Sequence, residues 1–312
     1  MRGSDFFTLP KLWEVQHMKQ TPLGFIGVGI MGEGMVSKIL ASGREVFVLK
    51  HKNPGPIERV KGKGAQEISD INDLAEKCEI ILLCLPNSKT VKKVFAKLAP
   101  KLPINSLIID CTTNNLNTVL EIGSLAKSKK LRYIEAPLTG GHQQSVSGKL
   151  GAMIGGRDQD YILAKQVLKP CCQKIERIGD LGMGARAKLI SNFLALGTAS
   201  LAIESLKVAK QLGVDWKKFY GLASLGSGSS KSLDRIAPKA IKDDYNSYAF
   251  TIDNAIKDFQ YILELFKNNK RLTDIIKPIL KTYKEDKEIL TGNHFISSRL
   301  SKEFLTDINQ VK

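Results

Sequence analysis

Residues 23–27 are a short apolar run that passes without a break into Gly27-Val28-Gly29-Ile30-Met31-Gly32, and a helix-forming pattern follows as far as residue 40. A strand, a glycine-rich turn and a helix in immediate succession leave few folds open. The first glycine permits the tight turn, the second lets a pyrophosphate approach the backbone, and the third lets helix and strand pack closely. A helix that starts there aims its unpaired N–H groups at the phosphates. The spacing predicts an α/β fold with a doubly wound Rossmann-type sheet, in which Gly27, Gly29, Ile30, Met31 and Gly32 hold a dinucleotide.

Strand and helix patterns alternate from there to about residue 180. Residues 45–49 read as a second strand that ends in Leu49-Lys50-His51-Lys52, with no acid at the place where an NAD enzyme binds the ribose 2′-hydroxyl. Cations suit a 2′-phosphate, so the expected cofactor is NADP(H), with Lys50, His51 and Lys52 beside it. Residues 80–85 are continuously apolar, as a parallel strand buried on both faces should be, and stop at Leu85-Pro86-Asn87. The strand over 106–110 stops at Cys111-Thr112-Thr113, with a helix beginning near Asn117, and residues 132–135 lead into Ala136-Pro137-Leu138-Thr139-Gly140-Gly141. Residues 148–156 and 174–178 read as the last two strands. The small polar loops thus follow strand C-termini, where open α/β sheets bind ligands; this places Leu85, Pro86 and Asn87 with the cofactor.

Residues 182–213 open with Gly182 and Gly184 and settle into strong helix formers, with no charge over the fifteen residues 189–203. A helix of about 30 residues is ~45 Å long, more than one face of a small domain covers. Apolar on nearly every side, it is expected to be buried on every side and shared by two domains. Lys188 and Asn192 stand out, four residues apart and so on one face. A lysine among buried apolar residues needs a partner or a task. After residue 213 the pattern is helical throughout: Asp215 caps a helix, residues 226–230 (GSGSS) interrupt it, and residues 250–254 lead into a helix that carries Lys257 and Asp258. The expected domains are 18–180, binding NADP, and 181–312, helical, including the interdomain helix 182–213. Residues 1–17 lack an apolar core and end just before Met18; they read as a vector-derived leader.

At 312 residues two domains are the prior expectation. The net charge of +16 comes mostly from 37 scattered lysines, the pattern of a solvated surface; nucleic acid is not an expected partner, although such a surface attracts phosphorylated cofactors and acidic substrates. Five cysteines in no metal-ligand spacing read as small buried hydrophobes in a reducing compartment, so the expected location is cytoplasmic and no metal is expected. No signal or membrane-spanning segment is read.

With these pieces in place, residues 23–304 resemble the β-hydroxyacid dehydrogenase family, which contains 3-hydroxyisobutyrate dehydrogenase and glyoxylate/succinic semialdehyde reductase. Gly24-Phe25-Ile26-Gly27-Val28-Gly29-Ile30-Met31-Gly32 resembles its cofactor signature, and Glu135-Ala136-Pro137-Leu138-Thr139-Gly140-Gly141 its substrate loop, usually D-A-P-V-S-G-G. Gly182-x-Gly184-x-x-x-Lys188-x-x-x-Asn192 is similar to its catalytic motif and Lys257-Asp258 to its second-domain pair. The resemblance implies that Lys188 gives or takes the proton, that Asn192 orients substrate, and that Thr139, Gly140 and Gly141 bind its carboxylate. It also implies that Thr113 and Lys257 lie beside nicotinamide and substrate, that Asp258 belongs to the substrate site, and that the chain forms a homodimer or homotetramer. Thr139 keeps the hydroxyl of the usual Ser, and its added methyl is expected to trim the pocket.

The chemistry is coherent without the family. Reducing an aldehyde leaves an alkoxide, and an acid beside it is worth ~10²–10⁴-fold in rate. A free lysine titrates near ~10.4, and burial or a second cation such as Lys257 would lower that. The expected function is an NADPH-dependent reductase of small carboxylate-bearing aldehydes or 2-oxoacids, such as glyoxylate and succinic semialdehyde. The rivals are a 3-hydroxyisobutyrate-type dehydrogenase, an imine reductase, a 6-phosphogluconate-type dehydrogenase and a non-catalytic family member. Imine reductases of the superfamily generally lack a lysine at the position of Lys188, the phosphogluconate enzymes are much longer, and a non-catalytic member would have lost that lysine.

Overall fold

The computed structural model describes residues 21–301 apart from Lys52. The expected leader, the cofactor ligand Lys52 and residues 302–312 lie outside the described residues. The chain divides into two compact units, Met1–Lys188 and Leu189–Lys312.

The first unit is built on one sheet of nine strands among the described residues. They are β1 (Leu23–Ile26), β2 (Val46–Leu49), β3 (Gln66–Ile68), β4 (Ile80–Leu83), β5 (Leu107–Asp110), β6 (Arg132–Glu135), β7 (Leu138–Thr139), β8 (Leu150–Gly155) and β9 (Cys172–Gly179). The order is β3-β2-β1-β4-β5-β6-β8-β7, with β9 also paired to β8. The pairs from β3 to β6 are parallel, whereas β8 runs antiparallel to β6 and β7. Chain order reverses between β1 and β4, the switch point where such sheets keep their ligand crevice. Strands β1, β4 and β5 are buried along their whole length, and alternate residues feed two cores. Leu23, Phe25, Ile80, Leu82, Leu107 and Ile109 join Met35, Val36 and Val60 on one side. Ile26, Ile81, Leu83 and Ile108 join Val91, Phe95 and Ile122 on the other. Each such side chain contributes roughly 1.5–3 kcal/mol on burial. The strands β3 and β7 have no counterpart in the sequence reading, because three and two residues are too short for a visible alternation.

The second unit is helical. Trp216–Ala223, Lys231–Ala240, Ile252–Leu265 and Lys270–Ile289 pack with the long helix Met183–Gln211 from Leu189 onward, and a 3₁₀ turn, Ile296–Leu300, follows. Asp215 caps its helix, accepting from Lys218 N at 2.8 Å. Among the described residues the only β pairing after Gly179 is a single bridge, Thr251 to Phe295. A Rossmann-type sheet followed by a helical domain is thus the architecture. The fully buried Arg299 pairs with Glu204 at 2.6 Å and with Asp286, and lies over the Tyr283 ring. A cation in this core is tolerated because it is paired.

The long helix corrects one expectation. It is the one helix among the described residues long and apolar enough to cross a membrane, yet it is not buried on every side. Leu189, Leu196, Ala199, Ile203 and Leu206 belong to the second unit's core, while Ile190, Leu194 and Leu201 are 52%, 68% and 67% exposed. The helical unit packs against one face of this helix only, and the uncharged sequence gives no sign of which face that is.

Candidate active site

The glycine turn is shaped partly by the protein and partly for something else. Gly27 has φ +110°, and a Cβ there would lie 2.1 Å from the Cys84 carbonyl oxygen. A Cβ on Gly32 would lie 2.2 Å from the Gly27 carbonyl oxygen. Both glycines are therefore demanded by the packing of β1, β4 and the helix Ile30–Ala41. Gly29 is different: nothing lies within 4 Å of where its Cβ would be, and its φ of −105° suits any residue. The open space at Gly29 and the first turn of Ile30–Ala41, which has no side-chain cap, fit the pyrophosphate of a dinucleotide. At the end of β2, Lys50 and His51 are exposed, and His51 Nδ1 accepts from Asn53 N at 3.2 Å.

Hydrogen bonds gather the loops at the sheet's C-terminal edge around this turn. Ile26 pairs with Leu83, so the glycine turn and the loop after β4 emerge side by side. Leu85 N donates to Thr112 Oγ1 at 3.0 Å, tying that loop to the one after β5, where Thr113 is half-buried. Asn87 caps the helix Ser88–Leu98, accepting from Thr90 N and Thr90 Oγ1, both at 2.9 Å, so its side chain shapes the loop. Thr139 and Gly140 are exposed, and Gly140 turns at φ +108°. Behind them, Ser145 Oγ donates to the Met31 carbonyl at 2.6 Å, and His142 Nδ1 lies 3.1 Å from the Ile30 carbonyl oxygen. The substrate-type loop and the cofactor-type turn are thus pinned together. The Thr139 methyl points where β8 carries Gly151, at which a Cβ would lie 2.6 Å from it. The extra methyl is absorbed by that glycine, contrary to the expectation that it trims the pocket.

Two buried carboxylates lie beneath the loops. Asp110 accepts from Thr112 N (2.9 Å), Asn114 Nδ2 (2.8 Å) and Tyr133 OH (2.9 Å), and burial raises its pKa against those bonds. Glu135, at the end of β6, is 1% exposed. Its Oε1 accepts from Gly182 N at 2.6 Å and Gly184 N at 3.0 Å, and its Oε2 from Ala185 N at 2.8 Å. Burial pushes this carboxyl up to about 8, and the three amides oppose the shift. It caps the long helix, whose first turn would otherwise bury unpaired N–H groups. One turn further on, Lys188 is 9% exposed.

In the second unit, Asn192 and the Lys257-Asp258 pair come together. Asn192 Nδ2 donates to Asp258 Oδ2 at 2.6 Å, and Lys257 Nζ lies 3.1 Å from Asp258 Oδ1. Asp258 is 1% exposed; its Oδ2 is taken by Asn192, while its Oδ1 faces the Lys257 ammonium without a hydrogen bond, so it orients Asn192.

The sequence reading missed the parts played by Glu135, Asp110, Ser145 and Tyr133. Asp110 carried a signal, because a strand-ending Asp in Asp110-Cys111-Thr112-Thr113-Asn114 invites side-chain bonds to the turn. Glu135 carried none, since its partners lie 47 to 50 residues away. The cysteines are free thiols; Cys78 lies in the core, and burial pushes it up to about 12.

Residues 22–179 match the family model described as the NAD binding domain of 6-phosphogluconate dehydrogenase. Residues 182–287 match the one described as NAD-binding of NADP-dependent 3-hydroxyisobutyrate dehydrogenase. The L-threonate dehydrogenase of Cupriavidus necator is 25% identical over 252 residues, 80% of this chain and 84% of that protein. The solved structure of 3-hydroxyisobutyrate dehydrogenase from Salmonella typhimurium has a TM-score of 0.82 at 20% identity, covering 90% of this chain and 99% of that one. Psf3 in complex with NADP+ and 2-OPP has a TM-score of 0.80 at 21% identity, covering 89% and 98%.

Proposed function

The chain belongs to the β-hydroxyacid dehydrogenase family of oxidoreductases, and on that premise we propose that it is a cytoplasmic, NADPH-dependent reductase of small acid semialdehydes or 2-oxoacids, with glyoxylate and succinic semialdehyde as candidate substrates. The observation that carries this reading is Lys188, a buried cation one turn beyond the capped start of the long helix, in a unit that also presents a dinucleotide turn and a Thr-Gly-Gly loop.

When bound, the nicotinamide supplies the hydride; the chain's residues have the rest to do. Gly27, Gly29, Ile30, Met31 and Gly32 receive the pyrophosphate, with Leu85, Pro86, Asn87 and Thr113 along the cofactor's path. Lys50, His51 and Lys52 supply the positive charge for the 2′-phosphate. The backbone of Thr139, Gly140 and Gly141, helped by the Thr139 hydroxyl and Lys257, holds the substrate carboxylate. Lys188 Nζ gives a proton to the carbonyl oxygen as it gains negative charge. Asn192, held by Asp258, orients that oxygen.

The NADPH preference is supported by the absence of any Asp or Glu at Lys50-His51-Lys52, and Psf3, a solved relative in fold, carries NADP+. Replacing Lys50 and Lys52 together by Ala should raise the KM for NADPH severalfold and the KM for NADH little. Equal or faster turnover with NADH in the unmodified enzyme would overturn the preference.

A second reading, oxidation of a hydroxyacid by the same site with Lys188 as base, is favoured by the dehydrogenases among the relatives. One panel separates the two: glyoxylate, succinic semialdehyde, 3-hydroxyisobutyrate and L-threonate, each with both nicotinamides, followed by absorbance. The reductase reading predicts the highest kcat/KM for an aldehyde or oxoacid with NADPH, and a hydroxyacid with NAD+ in that place overturns it. The exposed Ile190, Leu194 and Leu201 also support a homodimer or homotetramer. Leu194→Glu with Leu201→Glu should then lower the mass seen by light scattering.

A further inference from the structure

The glycines of Gly182-x-Gly184 are usually read together with the lysine that follows them, yet their surroundings belong to a different residue. A Cβ on Gly184 would lie 2.5 Å from the Met153 carbonyl oxygen, 2.9 Å from Gly155 N and 3.1 Å from Glu135 Cδ. A Cβ on Gly155, at the end of β8, would lie 2.2 Å from Glu135 Oε1. Gly182 turns at φ +96°, where a side chain would also strain the backbone. Two glycines, Gly155 on β8 and Gly184 on the helix, thus clear a socket for one carboxyl group, which takes the amides of Gly182, Gly184 and Ala185 at 2.6, 3.0 and 2.8 Å.

Such a cap is unusual in its source. A helix is ordinarily capped by the residue just ahead of it, but here the acceptor comes from the end of β6, 47 residues upstream of Gly182. Glu135 is also the residue from which the chain enters Ala136-Pro137-Leu138-Thr139-Gly140-Gly141. One side chain therefore fixes two things within the first unit: where the Thr-Gly-Gly loop begins, and how far along its axis the helix carrying Lys188 sits. The first N–H groups of a helix have no partner within it, so a buried helix start depends on bonds to an acceptor from elsewhere in the fold. Three such bonds hold the turn rigidly.

We infer that Glu135 is a positioning residue for the reaction: it caps the helix of Lys188 and so sets the lysine against the loop that receives the substrate carboxylate. The inference rests on the reading of Lys188 as the proton donor. Glu135 is 1% exposed with both oxygens on backbone amides, so its effect belongs in kcat and not in cofactor binding. An error of ~1 Å in the placement of a catalytic group costs up to ~10²-fold in rate.

Glu135→Gln keeps the size but points an NH2 group at amide donors. It should lower kcat at least tenfold, leave the KM and Kd for NADPH within about twofold, and speed amide exchange at Gly182, Gly184 and Ala185 at least tenfold while strand β4 stays protected. In a Lys188→Ala background the same change should alter the residual rate less than about twofold, because the residue through which it acts is gone. Native kcat in Glu135→Gln beside a crippled Lys188→Ala overturns this proposal alone, and so does an equal loss in both backgrounds. Near-native kcat in Lys188→Ala overturns the reading of Lys188 and this proposal with it. If Glu135→Gln does not fold, Glu135→Asp carries the test. One methylene shorter, it should lose at least threefold in kcat with faster exchange at the same three amides, and native kcat with faster exchange overturns the proposal.

Discussion

Lys188→Ala is expected to lower kcat for glyoxylate or succinic semialdehyde by at least ~10²-fold, the lower range for losing a general acid. The dissociation constant for NADPH, followed by fluorescence titration, should stay within about twofold. The two halves of this expectation come from different parts of the chain. The dinucleotide turn lies at Gly27 and Gly29, held by β1 and β4, and loses nothing when the lysine is cut back. The proton, however, has to come from a group near the carbonyl oxygen. Lys188 is 9% exposed, on a helix whose first turn is held by three bonds to Glu135. Lys188→Met separates charge from bulk: it fills the space and keeps the length, but gives no proton, so it should match Lys188→Ala. A Met variant near native kcat would make the lysine a packing residue and turn attention to Lys257, whose Nζ is 3.1 Å from Asp258.

The second large effect separates the two roles that the spacing assigns to Gly29 and Gly32. Gly32→Ala would place a Cβ 2.2 Å from the Gly27 carbonyl oxygen and 3.0 Å from Phe25 Cε1. The backbone has to move, and overpacking of this kind costs about 1–3 kcal/mol. Gly32→Ala should therefore lower Tm by several degrees and lose NADPH binding with it. Gly29→Ala meets nothing within 4 Å and needs no unusual φ, so Tm should change by no more than about 2 °C. Its methyl occupies the space assigned to the pyrophosphate, and NADPH affinity should fall at least tenfold. A Gly29→Ala protein with native Tm and native NADPH affinity would show that the open space serves no phosphate.

Much of the first unit could be read before any coordinates. Seven of its nine strands announced themselves as apolar or alternating runs, and the glycine turn sat where its spacing required. Lys188 and Asn192 stood out because a cation and an amide are conspicuous in a stretch of small and apolar residues. Asp258 was visible only as the neighbour of Lys257. Its Oδ2 accepts from Asn192, 66 positions away, and no local pattern encodes such a bond.

The sequence by itself determined the α/β class, the cofactor-type turn and the helical second half, because hydrophobic periodicity and glycine's conformational freedom act over a few residues. The tertiary structure decided what those residues do to one another. It made Glu135 a helix cap instead of the first member of a loop, and gave Gly151 the task of receiving the Thr139 methyl. It also left Leu194 and Leu201 in solvent on a helix that reads as wholly buried. A buried carboxylate takes whatever donors the fold brings within about 3 Å, and an apolar residue is buried only where another element covers it. Both conditions are set by parts of the chain far removed in sequence.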